Sequence, residues 1–180
     1  MAGGREYDSE KFRELLLHIA IQSEDDPDFG ATKLNKIMFF ADFLSYKLYD
    51  LSITGSMYQK LEHGPAPKNL LAEQDLLFSA GRAVVQTRDF DGYRQKRLIA
   101  LDDASLKLFE PNEIDLVNGL VNEYQGFGAT RISKLTHQVV MGWRAADLNQ
   151  TIPYETVFVL SPSQPTLSQV KRAHELAFAK

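Results

Sequence analysis

Thr32-Lys-Leu-Asn-Lys-Ile-Met-Phe-Phe-Ala-Asp-Phe-Leu-Ser-Tyr-Lys47 is the stretch on which the fold turns. Leu34, Ile37, Met38, Ala41, Leu44 and Leu48 recur at helical spacing and form one apolar stripe. Phe39, Phe40, Phe43 and Tyr46 make much of the remaining surface aromatic. A helix that is apolar on most sides belongs at the centre of a core or beneath a partner. The pattern predicts a central helix from Thr32, its cap, to about Tyr49, with Tyr46, Lys33, Lys36 and Lys47 at the surface.

Upstream, Phe12, Leu15, Leu16 and Ile19 predict a helix from Ser9, as N-cap, to Gln22. The linker Ser23-Glu-Asp-Asp-Pro-Asp-Phe-Gly30 carries Glu24, Asp25, Asp26 and Asp28 without the ligand spacing of a calcium loop, and reads as a solvated turn. Downstream, residues 57–62 read as a short strand. His63-Gly-Pro-Ala-Pro67 reads as a break, and a third helix is expected from Pro67 to Ser79.

The segments 83–90 and 93–100 flank Asp91-Gly92, a dipeptide suited to a type I′ turn. A two-residue loop places Phe90 opposite Tyr93, Asp89 opposite Arg94, Val85 opposite Leu98 and Val84 opposite Ile99. Each pairing is chemically matched. Further helices are expected over 103–109, over 111–125 with Ile114, Val117, Leu120, Val121 and Tyr124 inward, and from Thr130 through Trp143. Residues 151–160 read as extended, 161–165 as a linker, and 166–179 as a terminal amphipathic helix. The fold class is therefore α+β and predominantly helical, with a small antiparallel sheet and a projecting hairpin. Residues 1–160 are expected to form one domain, with 161–180 packed on it.

The chain has 180 residues, 44% hydrophobic and 24% charged, an ordinary globular composition. Zero cysteines exclude disulfides, thiol catalysis and thiolate metal sites. No apolar stretch is long enough for a membrane span, and residues 1–12 carry charges where a signal peptide needs its apolar core. A cytoplasmic protein without a membrane partner is the expectation. The net charge of −4 argues against a chain that lives on nonspecific affinity for nucleic acid.

No motif identifies a catalytic or cofactor site. His18, His63, His137 and His174 form neither an HxxxH pair nor HExxH. No P-loop, GxGxxG or GxSxG occurs, and Ser168-Gln-Val-Lys171 matches SxxK without its partner motifs. Gly126-Phe-Gly128 before Thr130 reads as helix punctuation, although a helix N-terminus there can hold an anion. The hairpin holds Arg82, Arg88, Arg94, Lys96 and Arg97 against Asp89 and Asp91, with Phe90 and Tyr93 at its tip. Such a ribbon can serve as a nucleic-acid wing, or as a solvated arm for protein contacts, the reading favoured here.

The stretch 32–47, followed by Ile53-Thr-Gly55, Tyr58 and Glu62-His-Gly-Pro-Ala-Pro67, resembles the Panacea domain, the SocA-like antitoxin family of bacteria, archaea and phages. Lys33, Leu34, Lys36, Phe39, Phe40, Ala41, Tyr46, Gly64, Pro65 and Pro67 carry the resemblance. Thr136-His137, Trp143 and Ile152-Pro-Tyr-Glu155 resemble its C-terminal part, so the likeness spans roughly residues 10–155. Many relatives carry an aromatic residue where this chain has His63. The resemblance implies a noncatalytic antitoxin without a cofactor, whose partner is a toxin encoded beside it, and implies a protease as second partner if it acts as an adaptor. Toxins of the family are diverse, so the family name leaves the target open.

Tyr46, Tyr58, His63, Phe90 and Tyr93 are the expected contact residues, with Arg88 and Arg94 supplying charge. A nucleic-acid-binding regulator using residues 82–97 is the alternative. An enzyme acting through His63, His137 and a carboxylate stands third.

Overall fold

The computed structural model describes residues 4–90 and 92–159, so the terminal helix expected over 166–179 and the SxxK match lie outside the described residues. Two long helices organise the chain: α1 (Ser9–Gln22) and α2 (Ala31–Tyr49). Phe12, Leu15, Leu16 and Ile19 of α1 are fully buried, as the periodicity demands. Leu34, Ile37, Met38, Phe39, Phe40, Ala41 and Phe43 of α2 are buried as well, so α2 is the central helix. Its stripe ends early, because Leu48 is exposed beyond the last covering element.

Three helix starts shift from the sequence expectation. Asp8 caps α1 by accepting from the Lys11 amide at 2.9 Å, leaving the Ser9 hydroxyl to donate to Glu73 at 2.8 Å. Helix α2 starts after Gly30 rather than on Thr32, with no side-chain cap. Helix α3 (Leu70–Ser79) starts three residues later than expected, because Gly64–Pro67 is a strand.

Strands β1 (Tyr58–Leu61), β2 (Gly64–Pro67) and β5 (Thr151–Ile152) form an antiparallel sheet in the order β2-β1-β5. The expected break at 63–67 is thus an edge strand. Pro65 and Pro67 pair with Lys60 and Tyr58, while the Lys68 amide donates to the Met57 carbonyl at 2.8 Å. Alternation along an antiparallel ladder then turns both proline nitrogens away from β1, where no amide donor is needed.

Strands β3 (Ala83–Phe90) and β4 (Tyr93–Ala100) form the hairpin in the expected register, from Phe90 against Tyr93 to Ala83 against Ala100. Ala83 and Leu98 root it in the core, and Tyr93 at the tip is 78% exposed. The helix expected over 103–109 shrinks to one 3-10 turn, Leu106–Leu108, whose leucines find no burial.

Helix α4 (Pro111–Glu123) carries Pro at its first turn and a capping box between Glu110 and Glu113. Val117, Leu120 and Val121 on it are buried, and so is Tyr124 at its C-cap. The helix expected from Thr130 divides at Val140 into α5 (Ala129–Val139) and α6 (Met141–Ala145). After β5, residues Tyr154–Phe158 form a 3-10 turn rather than a strand, with the Tyr154 hydroxyl donating to the Ser56 carbonyl at 2.7 Å. No helix among the described residues is long and apolar enough to cross a membrane.

Candidate binding cleft

The acidic linker is solvated at Glu24 and Asp25, as expected, but is anchored in the structure at Asp26. Asp26 is buried, and its Oδ2 accepts at 2.6 Å from Nζ of Lys33, in the first turn of α2. Arg97 of β4 reaches the same loop. Its guanidinium donates to the carbonyls of Asp26 at 2.8 Å and Ser23 at 2.7 Å, and also to that of Glu24. Burial lowers the Arg97 pKa, and the nearby Arg88 lowers it further. Arg88 donates to the Pro27 carbonyl at 2.5 Å, and Gln95 reaches the same oxygen at 3.1 Å. The hairpin therefore grips the loop 23–30 and holds it against the start of α2.

Lys33 and Lys36, expected at the surface, are each 1% exposed. Their aliphatic stems run through the core and deliver the ammonium groups to fixed acceptors. Lys36 Nζ donates to the Pro65 carbonyl at 3.2 Å, and burial pushes its pKa down to about 8. Gly64 lies over it with φ of +110°, and a Cβ there would come within 2.6 Å of Lys36 Cε and Nζ. This position needs glycine both for its backbone angle and for the space taken by the lysine.

Lys33 also forms part of the floor of a cleft of about 780 Å3. The first turn of α2 forms one wall. The hairpin tip, with Phe90, Tyr93, Arg94 and Lys96, forms the second. His63 and one side of α5, with Ser133, Lys134 and His137, close the third. Ser133 donates to the His63 carbonyl at 3.2 Å and fixes the β1–β2 turn to α5. His137 stacks on Trp143 with ring centroids 3.9 Å apart, and Trp143 donates to the Leu61 carbonyl at 3.1 Å. Burial lowers the His137 pKa, with Lys36, His63 and Lys60 adding to the effect. Its buried Nε2 has no hydrogen-bond partner among the described residues.

Of the seven expected contact residues, the cleft gathers His63, Phe90, Tyr93 and Arg94. Arg88 stands behind them, its guanidinium 5.1 Å from the Phe90 ring and tied to Gln95 at 2.7 Å. Tyr46 is elsewhere, half-buried against Tyr154 and Phe158. Tyr58 is fully buried, its hydroxyl 2.7 Å from Asp42 and 2.8 Å from the Met38 carbonyl. It supports the core and presents no surface to a partner. Lys134 joins the cleft without any sequence signal beyond its place on the first turns of α5.

A family model for the SocA-like antitoxin, Panacea domain, matches residues 34–144. The chain belongs to that family. The Panacea match runs from the first turn of α2 to α6, and so takes in most of the residues around the cleft. No curated protein and no solved structure matches the chain.

Outside the cleft, the other described histidine has a packing partner. His18 is buried, with Nε2 2.8 Å from Asn118 Oδ1 and a pKa lowered by burial. Among the described residues, no group of three or more His, Asp or Glu is placed to hold a metal ion. His63 and His137 share the cleft, and neither is hydrogen-bonded to a carboxylate among the described residues.

Proposed function

We propose that this protein is a cytoplasmic antitoxin that neutralises a toxin encoded beside it by direct binding, without catalysis. The observation that supports this reading is that the Panacea match takes in most of the residues around a ligand-sized cleft, including its aromatic and cationic hairpin wall. Aromatic and arginine side chains are the commonest anchors of protein interfaces. The nucleic-acid alternative draws less support from the hairpin. Arg82 is bound to Glu14 and Asp102, Arg88 to Pro27 and Arg97 to the loop carbonyls, so only Arg94 and Lys96 remain exposed for phosphate.

Coexpression with the adjacent reading frame tests the proposal. Growth arrest by that frame alone, relieved by this protein, is the expected result. A harmless neighbour, or one that stays fully toxic beside this protein, overturns it.

A further inference from the structure

We infer that the cleft binds an acidic segment of the partner protein, an inference that rests on the antitoxin reading above. Arg94, Lys96 and Lys134 line it, all exposed and none in an ion pair with another described residue. Lys33 also borders it, but its charge is met by Asp26. Asp28 is the one carboxylate among the lining residues. The cleft is thus cationic within a chain whose net charge is −4.

The surroundings narrow the occupant. Exposed Glu62 and Asp89 adjoin the lining residues His63 and Phe90 along the chain, and Glu24 and Asp25 are exposed on the gripped loop. A nucleic-acid strand carries a phosphate at every step and would run from the cleft onto these carboxylates. A short peptide with clustered Asp or Glu can place its charges inside the cleft and leave neutral residues on the rim. Arg94 offers the planar fork that pairs bidentately with a carboxylate. Tyr93 and Phe90 give apolar side chains of such a segment a surface to cover. The cleft volume lies inside the range of roughly 300–1,000 Å3 typical of ligand sites.

Two variants of the full chain separate the possibilities. Arg94→Glu/Lys96→Glu reverses two charges in the cleft, and Lys47→Glu/Lys107→Glu reverses two exposed charges away from it. Both change the net charge by the same amount, and unchanged melting temperatures establish that both fold. The probes are overlapping fluorescein-labelled peptides covering the product of the adjacent reading frame, and a mixed-sequence single-stranded oligonucleotide, followed by fluorescence anisotropy.

The expected result is that the retained peptides are rich in Asp and Glu. Their affinity falls roughly tenfold or more in the cleft variant, holds within about twofold in the control variant, and weakens with salt. Neutral or basic retained peptides overturn the inference, as does equal binding by the cleft variant. So does an oligonucleotide that displaces the peptides from the wild-type cleft, or no retained peptide at all. If wild-type protein rescues cells and the cleft variant rescues equally well, the acidic-segment inference falls while the antitoxin reading stands. If wild-type protein gives no rescue, the antitoxin reading itself falls.

Discussion

Replacing Lys36 by Met should stabilise the protein at neutral pH, and the gain should vanish in alkali. Lys36 is 1% exposed, and its pKa is lowered from 10.5 to about 8 because burial disfavours the charged amine. A downward shift of that size means that folding with the amine charged costs about 3 kcal/mol more than folding with it neutral. The cost applies fully below the folded pKa, where both states carry the proton. Between the folded and unfolded values the unfolded chain binds more protons than the folded one, so stability rises with pH there. From pH 7 to pH 10 the wild-type protein should recover about 2.5 kcal/mol through this one group. Methionine fills a similar volume without the charge. It forfeits the hydrogen bond to the Pro65 carbonyl, worth about 1 kcal/mol, leaving a net gain at pH 7 of about 1–2 kcal/mol. Urea unfolding of both proteins at several pH values measures the difference directly and cancels the titration of every other group. A difference that stays flat from pH 7 to pH 10, or a Lys36→Met protein less stable at pH 7, refutes the argument.

Asp26→Asn removes the partner of buried Lys33 and should cost about 3–5 kcal/mol in denaturant unfolding, since an unmatched charge remains inside. Gly142→Ala introduces a Cβ that would lie 2.2 Å from Thr156 Oγ1 and 2.8 Å from Ile152 Cγ2. A loss of about 1–3 kcal/mol by thermal melting is expected. Arg97→Met leaves the carbonyls of Ser23, Glu24 and Asp26 without their donor, so amide exchange over residues 23–30 should accelerate more than in the core of α1. Tyr93→Ala, at a site 78% exposed, should leave stability within about 0.5 kcal/mol of wild type while weakening rescue in the coexpression assay.

What could be read in the sequence was whatever a short window determines. The Asp91-Gly92 dipeptide, read as a two-residue turn, predicts the register that β3 and β4 adopt, because such a loop leaves only one pairing. The periodicity of residues 12–19 and 34–43 sets the buried faces of α1 and α2. Errors arose where a distant partner decided the outcome. Lys33 and Lys36 looked like surface residues because lysine usually is one. Asp26 and the Pro65 carbonyl make their burial tolerable, and the latter lies 29 residues further along the chain. The acidic loop is solvated at Glu24 and Asp25, but its anchoring was hidden because the arginine that organises it, Arg97, is 71 residues beyond Asp26. The cleft itself combines α2, the β1–β2 turn, the hairpin tip and α5, so four of its residues were picked out singly for their chemistry and not as neighbours.

The same long-range contacts explain how an acidic chain comes to present a cationic cleft. Its deeply buried carboxylates are matched internally: Glu14 by Arg82, Asp26 by Lys33, Glu73 by Arg13 and Glu113 by Lys11, while Asp42 accepts from Thr54 and Tyr58. These pairings remove both signs of charge from the surface together, and the excess of acidic residues is left outside. Arg94, Lys96 and Lys134 escape this pairing and converge on one concavity. Lys33, which lines the cleft, is held by α2 and by the Asp26 carboxylate, so this part of the floor is set before any partner arrives. On the function proposed above, binding to such a surface would require little reordering of this chain, and less of the interaction energy would go into ordering it. Loosening the floor through Asp26 should therefore weaken binding even though Asp26 does not line the cleft. Reversing Arg94 and Lys96 should weaken it without loosening anything.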